Sequence, residues 1–167
     1  MKKRHISVLL LPVCILMLTG CSANDSFPEI QAAADSDADI RYNGTEYRCH
    51  IRYIDNATSS VTLLSPEEIS GLTFTRSSGE YTCSLGKLLC KGEDLPDNSL
   101  PKEIFRVYDS IANTDPEPLV KHTDGSCEFR CGEIKLTTDS SGRPVFSDSK
   151  SITISIQNEP DAADNDA

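Results

Sequence analysis

Residues 47–53 run Tyr47-Arg48-Cys49-His50-Ile51-Arg52-Tyr53, and the strict alternation of apolar with basic side chains in this stretch decides the fold class. Successive side chains of a β-strand point to opposite faces, so Tyr47, Cys49, Ile51 and Tyr53 share one face while Arg48, His50 and Arg52 share the other. That pattern describes a strand lying on a core with its back in water, as in an antiparallel sheet. A slip of one residue would drive three basic groups into the core, which fixes the register.

The period of two continues on both sides. Val61 to Leu64 is a short apolar run stopped by Ser65-Pro66, and Leu72 to Thr75 is another. Ser78-Gly79 turns the latter into Glu80 to Leu85, where Tyr81, Cys83 and Leu85 share a face. Further strands are expected at Leu119 to Thr123, Cys127 to Leu136, Pro144 to Phe146 and Ile152 to Ile156, with turns at Asp124-Gly125 and Ser140-Ser141-Gly142. Apolar parity flips between Cys131 and Ile134, which predicts a bulge or bend at Gly132. A helix interrupts this meander: Leu100, Ile104, Val107, Tyr108 and Ile111 recur at helical spacing, with Asn98 or Ser99 available to cap and Pro101 in the first turn. The expected fold is α+β, a curved antiparallel half-barrel sheet of about 7–9 strands with one main amphipathic helix packed on it.

Outside this domain the sequence changes character. Lys2, Lys3 and Arg4 precede the apolar run Ile6 to Leu18, which ends in Leu18-Thr19-Gly20-Cys21. The run is about thirteen residues, short of the roughly 20 that cross a bilayer as a helix, and Pro12 interrupts it. It has the form of a bacterial lipoprotein signal peptide with a lipobox. Cys21 supplies the nucleophilic thiolate that can be alkylated by a diacylglyceryl donor, and two or three acyl chains at about 0.8 kcal/mol per buried CH₂ hold a small domain on a membrane. The expected organisation is a signal peptide at 1–20, a lipidated flexible linker at 21–39 rich in Ala, Ser and Asp, a single domain at 40–157, and a disordered acidic tail at 158–167. The expected address is the extracytoplasmic face of a bacterial cell membrane.

Loss of Lys2, Lys3 and Arg4 with the signal leaves 13 of the 16 Lys and Arg against all 26 Asp and Glu, a net charge of −13. Such a surface repels nucleic acid and anionic headgroups, so the membrane is reached through the anchor and nucleic acid is excluded as a partner. Asp35, Asp37, Asp39 and Glu46 have the one, three, five, twelve spacing of a calcium loop. Ile40 occupies the sixth position, where the sharp turn requires Gly, and no metal is expected. Past the signal the histidines are His50 and His122, neither near a hydrolase or zincin motif. No glycine-rich phosphate loop and no Trp are present, so the sequence implies no cofactor and no catalytic constellation.

Five cysteines fall in the domain: Cys49, Cys83, Cys90, Cys127 and Cys131. Their strand positions suit buried thiols, while Cys83 with Cys90, or either with Cys127 or Cys131, could form a disulfide. Cys127 and Cys131, four apart along one strand, lie roughly 13 Å apart and cannot bond unless the chain folds back between them. A four-thiolate zinc site has loose spacings here and no tight knuckle.

The succession YNGTEYRCHIRYID (42–55), VTLLSPEEISGLTFTRSSGEYTCSLGKL (61–88), LPKEIFRVYDSIAN (100–113) and DGSCEFRCGEIKLTTDSSGRPVFSDSKSITISI (124–156) resembles small clostridial-type lipoproteins with the open half-barrel of the lipoprotein carrier LolA. Ser65-Pro66-Glu67 running into Gly71-Leu72-Thr73-Phe74, and Gly142-Arg143-Pro144 before a last apolar strand, carry most of the likeness. The resemblance implies an apolar concavity for a lipid or acyl chain. The residues available to line it are Tyr47, Ile51, Tyr53, Leu72, Phe74, Tyr81, Leu85 and Phe129. The chain departs from the carriers in having its own anchor and a shorter sheet. Two further functions compete: an envelope scaffold or regulator binding another protein, for example in sporulation or germination, and a thiol or metal enzyme with reactive cysteines.

Overall fold

The computed structural model describes residues 26–157. Eleven strands form one open antiparallel sheet: β1 (Ala34–Tyr42), β2 (Thr45–Tyr53), β3 (Thr58–Ser65), β4 (Thr73–Ser77), β5 (Glu80–Leu85), β6 (Leu88–Gly92), β7 (Glu117–Lys121), β8 (Cys127–Cys131), β9 (Ile134–Thr138), β10 (Pro144–Asp148) and β11 (Ile152–Ile156). Their order across the sheet is β6-β5-β4-β3-β2-β1-β11-β10-β9-β8-β7, so β6 and β7 are the free edges. Among the described residues one α-helix, α1 (Leu100–Asn113), connects these two edge strands and lies on one face of the sheet.

The strand count exceeds the expected 7–9 for three local reasons. First, β1 grows out of the Asp-rich segment assigned to the linker. Its outward Asp35 and Asp37 face the basic side of β2, with Asp37 3.0 Å from Arg48 and Asp35 3.0 Å from His50 and 3.7 Å from Arg52. The domain therefore begins before residue 40, the boundary drawn from composition. Second, the parity flip at Gly132 is a two-residue hairpin and no bulge: Cys131 pairs with Ile134, and Gly132 takes φ +62°. Flanking partners of a two-residue loop share a face, so the flip returns the apolar side to the core. Third, Gly86-Lys87 closes another such hairpin, which adds β6.

Irregular register occurs between Arg48 and Cys49, between Pro118 and Val120, and between Pro144 and Phe146, and bulges of this kind bend a strand. The helical stripe buries Leu100, Ile104, Phe105, Val107, Tyr108 and Ile111 against inward residues of the sheet, among them Ile40, Ile51, Val61, Leu136 and Ile154. Tyr108 stacks on Tyr53 with ring centroids 5.2 Å apart. Ser99 occupies the N-cap position, but its hydroxyl makes no capping bond; the first turn is closed by the Glu103 N–H donating to the Ser99 carbonyl at 3.1 Å.

The segment before β1 is also engaged. The Ser26 carbonyl accepts from Lys121 Nζ at 3.2 Å, Phe27 packs edge-on to Phe129 at 5.6 Å, and the Gln31 N–H donates to the Gly142 carbonyl at 3.0 Å. Residues 26–33 thus form a strap over the β8–β10 side, where a freely flexible linker was expected. The tail at 158–167, the signal peptide and Cys21 lie outside the described residues.

Candidate functional site

Cross-strand register places inward side chains in three rows running from β3 to β6. Leu63, Leu72, Leu85 and Leu88 form the first, since Leu63 and Leu72 are joined through their backbones and Leu85 pairs with Leu88. Val61, Phe74, Cys83 and Cys90 form the second, and Ser59, Arg76, Tyr81 and Gly92 the third. Exposure rises along the first row from 4% at Leu63 to 39% at Leu85 and 72% at Leu88. The second row follows the same gradient, from buried Val61 through half-buried Phe74 and Cys83 to exposed Cys90. The helix covers the rows at β3 and leaves them bare toward β6, producing an apolar shelf on the inner face.

Edge strand β6 exposes both of its faces. Leu88 projects with the shelf, and Leu89, of opposite parity, is 60% exposed on the outer side. Among the described residues its outward backbone groups have no neighbouring strand. The other edge is differently made: β7 carries Glu117, Pro118 and Lys121, which discourage strand pairing.

A cleft of about 730 Å³ separates the shelf's lower row from the helix, lined by Tyr81, Phe105, Lys102, Arg106, Arg76 and Asp109 among others. Its inner wall is an ion pair that fixes the helix. Arg76, only 5% exposed, donates to Asp109 through two nitrogens at 2.6 and 2.8 Å and to Ser59 Oγ at 3.0 Å. Its guanidinium carbon lies 4.9 Å from the Phe105 ring centre. The Asp109 carboxylate, bonded to Arg76, raises the guanidinium pKa further against the opposing effect of burial. The Tyr53 hydroxyl donates to Asp109 at 3.0 Å; burial first, and then this carboxylate, push its pKa up to about 12. All four groups satisfy one another, so the cleft wall is structural.

The eight apolar residues proposed as a ligand face divide into two sets. Ile51, Tyr53 and Phe129 are buried core, covered by the helix or the strap, and this corrects their assignment to an open concavity. Tyr47, Leu72, Phe74 and Tyr81 stay half-buried and Leu85 reaches the surface. Sequence reasoning missed Leu88 and Leu89; the signal was present in Gly86-Lys87, which makes the following Leu-Leu-Cys a returning strand.

Among the described residues the five cysteines, Cys49, Cys83, Cys90, Cys127 and Cys131, are unbonded. Burial pushes the Cys49 thiol up to about 12 and raises Cys131 and Cys83, so these three are poor nucleophiles at neutral pH. His50 bonds Asp37 and Asp35 on the outer face, and His122 lies 3.4 Å from Glu128, both away from any thiol or hydroxyl nucleophile of the shelf. Among the described residues no group of three His, Cys, Asp or Glu could hold a metal ion, and no helix is long and apolar enough to cross a membrane.

No family model and no curated protein match this chain. Among solved structures it is similar to a LolA superfamily protein from Nitrosomonas europaea, at 10% identity and a TM-score of 0.38, over 75% of this chain and 85% of that one.

Proposed function

We propose that this chain is a lipid-anchored extracytoplasmic scaffold that binds an apolar segment of another envelope protein at the β6 end of its sheet. The observation that carries this reading is the exposure of both faces of an unpaired edge strand, Leu88 at 72% on one side and Leu89 at 60% on the other. An added strand would satisfy the free backbone groups and cover both leucines at once.

The strap supports a consistent orientation. Cys21 precedes Ser26 by five residues, and five residues span at most about 17 Å from the Ser26 whose carbonyl Lys121 grips. The sheet runs from that edge to β6 over ten strand spacings, about 48 Å along its surface. Ser26 and β6 thus belong to opposite ends of the strand order, and in this reading the anchored N-terminal segment enters on the β7 side while the partner is bound at the β6 side.

The shelf favours a second reading, an acyl chain laid along Leu72, Phe74, Leu85 and Leu88. That ligand would use the inner face alone and leave Leu89 in water. Leu88→Lys and Leu89→Lys separate the two. A photo-cross-linking side chain at position 87 in intact cells is expected to give a discrete adduct that both substitutions weaken at least tenfold, consistent with roughly 1.5–3 kcal/mol per buried Leu. If palmitate instead binds in native mass spectrometry, and only Leu88→Lys removes it, the site is a lipid shelf. Absence of both adduct and palmitate complex would defeat both assignments.

A further inference from the structure

The geometry points to a cross-strand disulfide between Cys83 and Cys90, a covalent link that would fasten the terminal hairpin β5–β6 beside the proposed binding edge. The two residues face each other directly in the β5–β6 ladder. Directly opposed residues of an antiparallel pair lie about 4.5–5.5 Å apart between Cα atoms, inside the 4.4–6.8 Å range that disulfides span. Both side chains project on the same face, because cross-strand partners do. Neither is sealed in the core: Cys83 is half-buried and Cys90 exposed, whereas Cys49, Cys127 and Cys131 are fully buried. Cys127 and Cys131 sit at opposite ends of β8, and Cys49 stands opposite Ala38 and Leu63. Of the five thiols, therefore, Cys83 and Cys90 alone are opposed in register and open to a reagent.

The chemistry balances as a thiol–disulfide exchange. The accessible Cys90 thiolate attacks the disulfide of a small-molecule disulfide or a thiol–disulfide oxidase, forming a mixed disulfide and releasing one donor sulfur as a thiol. The Cys83 sulfur then attacks Cys90 Sγ, forming the Cys83–Cys90 bond and expelling the second donor sulfur. The two cysteine protons end on the two donor sulfurs; the protein pair is oxidised and the donor disulfide reduced. Cys83 is the slower partner, since burial, and then the nearness of Cys90, raise its thiol pKa. Its placement opposite Cys90 compensates by making the second step intramolecular.

The sequence makes the test direct, because trypsin cuts after Lys87 and separates the two cysteines into peptides 77–87 and 88–91. The native full-length chain is equilibrated with oxidised glutathione, quenched with acid, alkylated and digested. The expected result is peptide 77–87 joined to peptide 88–91, with alkylation lost at Cys83 and Cys90 together and retained at Cys49, Cys127 and Cys131. Cys83→Ser should convert the product into a stable glutathione adduct on Cys90. The inference fails if the unaltered chain also stops at that adduct, if both cysteines remain alkylatable, or if Cys90 links to Cys90 of a second copy.

Discussion

Arg76 and Asp109 set the position of the helix through a single pair of side chains. Arg76 belongs to β4 and is 5% exposed, and Asp109 belongs to the middle of α1, so their two short bonds tie the helix to the more exposed half of the sheet. A buried charge that loses its partner is far costlier than a buried pair is beneficial. Asp109→Asn removes the counter-charge while keeping the shape, and it is expected to lower unfolding free energy by about 3 kcal/mol in a urea titration. Arg76→Met combined with Asp109→Leu and Tyr53→Phe should recover part of that loss, since neither charge is then left unpaired and the buried Tyr53 hydroxyl that Asp109 accepted from is removed. Equal destabilisation by the triple and single variants would show that the pair contributes packing alone. Neither residue carried a sequence signal, because Arg76 looks like any strand-edge cation and Asp109 like any solvent-facing helical acid. Their pairing is separated by 33 positions and appears only once β4 and α1 are in contact.

At the scale of elements, what the sequence declared was whatever has a local period. The strand through Tyr53, the strand ending at Ile156 and the helix from Leu100 were legible because alternation or a 3.6-residue stripe lies within each one. β1 was hidden because its outward aspartates are compensated from β2, and a segment read alone as acidic and soluble becomes a strand through its neighbour's arginines and histidine. The strap was hidden for the same reason. Its place depends on Gly142, where a β-carbon would stand 2.0 Å from the Glu29 carbonyl oxygen and where φ is +87°. The sequence marked Gly142 as a turn residue without showing that backbone passes over it. Gly142→Ala is therefore expected to cost about 1–2 kcal/mol and to release the strap. Hydrogen exchange at the Gln31 amide should accelerate well beyond the global change, with Phe129 newly accessible. Uniform acceleration across the sheet would mean that the glycine serves its own turn only. Of the candidate site, the inner row through Leu85 was legible by the same alternation. Its continuation to Leu88 depended on recognising a two-residue turn, and the burial of Ile51, Tyr53 and Phe129 depended on two covering elements whose docking is not local.

Across the whole molecule the dominant electrostatic fact is excess negative charge, −10 for the full sequence at neutral pH. Self-repulsion of that excess opposes the compact state, while individual carboxylates are favourably placed within it. The hydrogen bond from His50 holds Asp37 below the ordinary aspartate value of 3.8, against burial and assisted by Arg48; the Lys102 ammonium does the same for Asp94, and Lys135 lowers Glu128 from the ordinary glutamate value of 4.5. A group whose pKa is depressed on folding adds stability above its unfolded pKa, and that stability is lost as pH falls through the lower folded value. The two effects therefore act in different windows. From neutral pH down to about 5, the depressed carboxylates remain charged, and any protonation at the upper edge of the carboxylate range relieves repulsion. Below about pH 4 the unfolded chain takes up protons before the depressed carboxylates of the folded state do, and their contribution is lost progressively as pH falls through the lowered values. Thermal unfolding is expected to show a stability maximum near pH 5, with a steep acid limb beneath pH 4. Salt distinguishes the causes at pH 7: raising ionic strength from about 0.01 to 0.15 M shortens the screening length from about 30 to 8 Å. It should raise the melting temperature if long-range repulsion prevails over the exposed ion pairs. A fall in melting temperature with salt would instead assign the balance to the cross-strand pairs of β1 and β2, making the acidic surface a stabilising partner of the basic strand from which the fold was first read.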